Sequence, residues 1–144
     1  MGMSAYGKNK YEKYLKPSFK INNFGQLEIL ETKYVGFKNI ENTAHKNFFY
    51  KNEFCKILPQ NNSKDFTQEH FDFAKSIQSI TENVGVELSE WAYNQTKIDN
   101  ICISGGVGLN GLMNNKILNL KCFNDAFVFP AAGDDGTSVG SALY

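Results

Sequence analysis

Two hydrophobic periods divide this chain. Between Thr67 and Asn94, Ala74, Ile77, Thr81, Val84, Leu88 and Trp91 recur at spacings that alternate between three and four. That spacing places them on one stripe of a long helix, with Thr67 or Asp65 positioned to cap its start. The stripe reads as core, without chemistry of its own. Gly85 falls inside the helix, where it lowers stability by about 1 kcal/mol relative to Ala without breaking the element. Downstream the pattern shortens. Ile98–Ile103 predicts a buried strand that runs into Ser104-Gly105-Gly106-Val107-Gly108-Leu109-Asn110-Gly111, with a helix to about Leu118. Asp125–Phe129 predicts a second strand, which ends in Pro130-Ala131-Ala132-Gly133-Asp134-Asp135-Gly136 before a helix of small residues. Helix, strand, glycine turn, helix, strand, glycine turn, helix is the order of an α/β unit with both turns on one sheet edge. Ligands of open α/β sheets bind at that edge.

The first sixty residues are less regular. A short helix is expected around Lys10–Leu15 and a strand over Gln26–Phe37. The aromatic cluster Phe48, Phe49, Tyr50 and Phe54 reads as packing beneath an irregular segment.

Composition narrows the function classes. The chain has 144 residues, 42% of them hydrophobic and 21% charged, which excludes a disordered or collagen-like protein and favours a single domain. Fifteen basic and fifteen acidic residues cancel, so no broad attraction to nucleic acid or to an anionic membrane is expected. Every basic residue is Lys. Without Arg, a bound anion must be held by lysines, backbone N–H groups, a metal or a partner rather than by a bidentate fork. Cys55, Cys102 and Cys122 are too widely spaced to suggest zinc or a disulfide framework. No apolar run approaches a membrane span and the N-terminus lacks a signal-peptide pattern, so a cytoplasmic location is expected.

The glycine turns carry the candidate chemistry. Gly105-Gly106 directly after a strand lets a ligand approach the backbone, and the helix that follows offers N–H groups to phosphate. Asn110 and Asn114, one helical turn apart, could present amides to a base or ribose; the alternative is a tight turn flanked by surface asparagines. No Walker motif is present, and a Rossmann dinucleotide site has weak support. In Gly133-Asp134-Asp135-Gly136 the carboxylates could hold a hard cation that bridges phosphates, or simply cap the next helix. His45 and His70 read as surface or packing histidines.

These same segments resemble the NodU/CmcH-type carbamoyltransferases. The likeness rests on Ile103–Asn110, on Phe127–Ala142 with its Pro-Ala-Ala-Gly-Asp run, on Met1-Gly2-Met3-Ser4-Ala5-Tyr6-Gly7, and on Ala74–Glu82 with Gln78, Thr81 and Glu82 in place. Residues 10–65 match poorly. The resemblance implies transfer of a carbamoyl group from carbamoyl phosphate to a hydroxyl of a sugar or natural product, through an ATP-derived carbamoyl-adenylate. It implies ATP and a divalent metal, iron or magnesium, as cofactors. The implied fold is α/β: one ribonuclease-H-like lobe of an actin-like ATPase (ASKHA) domain, a mixed sheet with helices, incomplete. Gly105, Gly106, Val107 and Asn110 would line the adenosine. Gly136 would give backbone access to phosphate and Asp134 would be the metal ligand.

By the same resemblance, residues 1–144 form a single partial domain, the second lobe of the nucleotide-binding domain. A preceding lobe and a following domain that handles carbamoyl phosphate are missing, so the chain is expected to be inactive alone and to need a separate chain for the absent lobe. The competing expectations are a non-catalytic interaction module, a truncated gene product, or a relative of the tRNA threonylcarbamoyl-transferases.

Overall fold

The computed structural model describes residues 1–39, 46–57 and 65–144. His45 lies outside them. The chain forms two compact units, Met1–Val84 and Gly85–Tyr144.

The first unit opens with a 3-10 turn over Gly2–Tyr6 and the short helix α1, Glu12–Leu15. Strands β1 (Phe19–Ile21) and β2 (Leu27–Ile29) form an antiparallel hairpin. Its turn is built by Asn22, whose Oδ1 accepts from the amides of Phe24 and Gln26, and by Gly25 at φ 74°. Strands β3 (Val35–Asn39) and β4 (Lys46–Tyr50) form a second antiparallel pair, followed by the short helix α2, Asn52–Cys55. The strand expected over Gln26–Phe37 is thus two strands in different sheets. Thr32 causes the break: its Oγ1 accepts from the amides of Tyr34 and Val35 and closes a local turn. The segment expected to be irregular holds strand β4.

Helix α3, Gln68–Thr96, is the long helix expected from the periodicity and runs through both units. Thr67 starts it. Its carbonyl accepts from His70 N, and His70 Nδ1 accepts in return from the Thr67 amide at 3.0 Å. The bond from the Thr67 amide to the His70 ring is one half of a capping box, with His in the place of Glu or Gln, while the return bond is to the Thr67 carbonyl rather than its hydroxyl. Lys97, at φ 58°, closes the helix by donating its amide to Tyr93 O.

The core of the first unit is Tyr11, Leu15, Val35, Phe54 and Ile80, ringed by Tyr14, Tyr34, Tyr50, Phe73, Ile77 and Val84. Phe54 packs edge-on against Tyr11, Tyr14 and Tyr34. The stripe expected to be core is only half-buried on α3. The deeply buried positions of this helix include Asp72, Ser76, Gln78, Glu82 and Ser89. These polar groups are accommodated because each has a hydrogen-bond partner, as burial requires. Asp72 accepts from Lys8 N and Gln68 Nε2, Ser76 Oγ accepts from Tyr11 N, and Gln78 Nε2 donates to Glu82 Oε1 at 3.0 Å.

The second unit holds the end of α3, strand β5 (Asn100–Ile103), helix α4 (Gly111–Leu118), strand β6 (Asp125–Val128) and helix α5 (Gly136–Leu143). β5 and β6 are parallel, with Asn100 opposite Asp125 and Ile103 opposite Val128. The expected α/β order is therefore present. One mixed sheet is not: the described residues form three separate two-stranded sheets. Gly85 has a packing role that periodicity could not reveal, because a Cβ there would lie 2.6 Å from Met113 Cγ and Sδ.

Candidate functional site

A parallel pair leaves the C-terminal ends of both strands on the same edge, so the turns after β5 and β6 must lie side by side. They do. Gly108 of the first turn is buried, and a Cβ on it would lie 3.2 Å from Ala132 Cβ of the second. A Cβ on Gly133 would lie 3.8 Å from Leu109 Cδ1.

The first turn is a 3-10 segment, Gly106–Leu109, entered through Gly105 at φ 91° and ψ 163°. That conformation is essentially restricted to glycine. Gly105 and Gly106 are both exposed, and nothing lies within 4 Å of where a Cβ would sit on either. Val107, 61% exposed, stands beside them. This is an open strip of backbone with an apolar neighbour, the surface that a planar ring or ribose needs for close approach.

Asn110 is the N-cap of α4, its Oδ1 accepting from Met113 N at 3.2 Å. Its amide oxygen therefore serves the helix rather than standing ready for a base. Asn114 is not at the surface either. It is buried and donates from Nδ2 to Gly108 O at 2.6 Å. The expectation that no Gly-x-Gly-x-x-Gly stands in register here is wrong: the glycines at 106, 108 and 111 have that spacing between a strand and a helix. The other half of a dinucleotide fingerprint is a carboxylate after the second strand that accepts from the ribose hydroxyls. Here β6 ends at Val128 and runs into Phe129-Pro130, and the first carboxylate, Asp134, stands six residues beyond the strand.

In the second turn, Asp135 is the N-cap of α5 but makes no side-chain cap bond. The helix start is tied instead by hydroxyls and backbone: Thr137 Oγ1 donates to Asp134 O at 2.6 Å and Ser138 Oγ to Asp135 O at 2.8 Å. Neither carboxylate makes a cap hydrogen bond among the described residues, although both charges stand at the positive end of the α5 dipole. Asp134 and Asp135 are exposed hard-oxygen donors at a helix start. They suit a cation that completes its shell with water and phosphate oxygens, which magnesium does with one or two carboxylates. Among the described residues no cluster of three or more His, Cys, Asp or Glu stands ready to enclose a metal. The amide of Gly136 donates to Gly133 O at 3.1 Å, and a Cβ at Gly136 would meet Ala131 O at 2.3 Å. Gly136 thus permits the tight turn, and its own N–H is occupied.

The stretches at Met1–Gly7 and Ala74–Glu82 belong to the first unit. A Cβ on Gly7 would lie 1.9 Å from Phe71 O, so only glycine lets the N-terminal turn lie flat on α3. Sequence reasoning missed the buried Gln78–Glu82 pair as a unit. Its signal is the four-residue spacing of carboxamide and carboxylate on one helix face.

A family model described as carbamoyltransferase N-terminus matches residues 1–143. An uncharacterized protein of Synechocystis is 30% identical over 146 residues, covering 99% of this chain and 23% of that protein. Another, of Methanocaldococcus jannaschii, is 31% identical over 143 residues, 98% of this chain and 21% of its own length. The nodulation protein NolO of Bradyrhizobium diazoefficiens is 37% identical over 78 residues, 54% of this chain and 14% of that protein. The chain thus spans less than a quarter of the length of these relatives.

Proposed function

This chain belongs to the carbamoyltransferase family, and from that premise we propose that it supplies one nucleotide-binding lobe of an O-carbamoyltransferase. The observation that carries the reading is the pairing of an exposed glycine turn with an exposed carboxylate turn, side by side at the ends of two parallel strands.

In this reading the lobe is a ribonuclease-H-like half of an actin-like ATPase (ASKHA) domain. Gly105, Gly106 and Val107 hold the adenosine on the open backbone strip, and Asn110 fixes the start of α4 beside it. Asp134 would hold a divalent cation, magnesium or iron, supplying positive charge to the phosphates; Gly136 allows the second turn its tight shape. When bound, the cation neutralises charge that develops on the phosphates. In this reading water releases phosphate from carbamoyl phosphate, and the carbamoyl oxygen displaces pyrophosphate from ATP to give the carbamoyl-adenylate. A hydroxyl of a sugar or related small molecule then takes the carbamoyl group as AMP and a proton leave. One lobe cannot exclude water from such a reaction. The 144-residue chain is accordingly expected to bind nucleotide without transferring carbamoyl, and a chain or segment carrying the opposite lobe is its partner.

The test is titration calorimetry of the chain with ATP and Mg²⁺ or Fe²⁺, wild type against Asp134→Ala. Metal-dependent binding that the substitution abolishes supports the assignment. A folded chain that binds no nucleotide with either metal overturns it.

A further inference from the structure

The open strip at Gly105–Val107 is fastened from behind by one side chain. Within the turn, Gly108 N donates to Gly105 O at 2.8 Å and Asn110 N to Val107 O at 2.9 Å. These bonds close the 3-10 segment on itself. Asn114 Nδ2, from the first turn of α4, ties the middle of that segment to the helix through Gly108 O at 2.6 Å. Gly108 is also where the turn rests on its neighbours, with Ala132 Cβ and Ile103 Cγ2 at 3.2 and 3.5 Å from the position of a Cβ. The direction of its carbonyl therefore sets how the preceding peptide planes face solvent.

The bond leaves something unsatisfied. Asn114 is 8% exposed, and its Oδ1 is buried with no hydrogen-bond partner among the described residues. Turning the amide over would set Oδ1 against Gly108 O, acceptor against acceptor, so the carbonyl dictates the orientation and the orphan oxygen follows. An apolar residue of similar volume would remove that orphan oxygen but leave the buried Gly108 carbonyl without the donor it has here, so the side chain is matched to the carbonyl rather than to its own full satisfaction. Among similar side chains, only Asn reaches Gly108 O with a donor. An ionised Asp cannot donate and Leu offers neither group.

We propose that Asn114 is a positioning residue for the nucleotide site: it aims the Gly108 carbonyl so that Gly105, Gly106 and Val107 present their backbone to the adenosine. It acts through the turn and touches no ligand. The inference deepens the nucleotide reading above and rests on it.

Asn114→Leu removes the donor and the orphan acceptor together while keeping the volume. Its melting temperature is expected to stay within about 2 °C of wild type, since the Gly108 carbonyl left without a donor and the removed Asn114 oxygen offset each other. Amide hydrogen exchange is expected to quicken across residues 105–110. Affinity for Mg²⁺·ATP is expected to fall at least about tenfold, because the strip is no longer preorganised. Ile117→Ala, a cavity in the same helix at a residue 2% exposed, provides the structural control: it should lower the melting temperature and leave affinity within about twofold. Unchanged exchange over 105–110, or an affinity loss that Ile117→Ala reproduces, overturns the proposal. If wild type binds Mg²⁺·ATP and Asn114→Leu binds it equally, the proposal alone fails. If wild type binds none, the nucleotide reading fails and takes the proposal with it.

Discussion

Replacing Gly105 and Gly106 by Ala, one at a time, separates the shape of the first turn from its chemistry. At φ 91° and ψ 163°, Gly105 sits where an L-residue costs about 1–3 kcal/mol. No atom lies within 4 Å of the new methyl group, so crowding adds nothing. Alanine regains about 0.4–1 kcal/mol by restricting the unfolded chain. The net loss is about 1–2 kcal/mol, which lowers the melting temperature by about 3–8 °C in a chain of this size. Gly106 is equally open but has no left-handed φ. There the unfolded-state gain stands alone, and the melting temperature should hold or rise by about 1–3 °C.

The two methyl groups nevertheless project from the same exposed strip, so both variants should weaken Mg²⁺·ATP binding. Thermal unfolding followed by circular dichroism gives the first quantity and calorimetry the second. Equal melting temperatures for the two variants would refute the strained conformation at Gly105. A Gly106→Ala protein with undiminished affinity would refute the placement of adenosine on this strip.

Other perturbations read the scaffold. Gly85→Ala should destabilise the chain despite better helix propensity, since its Cβ would meet Met113; in a Met113→Ala background the same change should become stabilising by about 1 kcal/mol, and urea unfolding of the four proteins gives the coupling. Gly136→Ala sets a Cβ 2.3 Å from the backbone oxygen of Ala131 and should cost at least about 1–3 kcal/mol by the same assay. The acid limb of stability should report Asp72 and Glu69. Hydrogen bonds from Gln68 and then the Lys8 amide hold Asp72 below its ordinary 3.8, and those from Lys10 and Tyr11 hold Glu69 below 4.5. Folded values that are lowered give stability that is present above the ordinary values and lost as pH falls through the lowered ones, so Asp72→Asn with Glu69→Gln should flatten that limb. Tyr11 is shifted the other way, by burial and then by its bond to Glu69. Its contribution is complete below pH 10 and disappears as pH rises through the raised value, so Tyr11→Phe should flatten the alkaline limb.

The second unit was legible because its signals are local. A strand, a glycine turn and a capped helix each declare themselves within ten residues, and β5, α4, β6 and α5 lie where the pattern puts them, although β5, expected to be buried, alternates between exposed and half-buried residues. The first unit depends on distant partners. Phe54 becomes core only when Tyr11, Tyr14 and Tyr34 close around it, and nothing within Asn39–Asn62 encodes that closure. Helix α3 misled in a different way. Its apolar stripe fixed the helix but not its buried face, because Asp72, Ser76, Gln78 and Glu82 are buried with partners as far away as Lys8 and Tyr11. At the site, spacing found the two asparagines. Only geometry showed that Asn110 caps α4 and that Asn114 braces the turn.

Charge gives the nucleotide reading its sharpest exposure to failure. From Gly85 to Tyr144 there are three lysines against six carboxylates, and no arginine. A triphosphate arriving there alone meets more repulsion than attraction. Asp134 is then unfavourable for bare ATP: at about 4 Å in a water-like dielectric, two like charges repel by about 1 kcal/mol, roughly fivefold in affinity. With a divalent cation between carboxylate and phosphate the sign inverts, because each anion now faces a positive charge. Asp134→Ala should therefore have opposite effects in two buffers. In EDTA it should bind ATP as well as wild type or up to about fivefold more tightly; in Mg²⁺ it should bind more weakly. A carboxylate that merely supports the turn would weaken binding in both buffers. One with no part in the site would change neither.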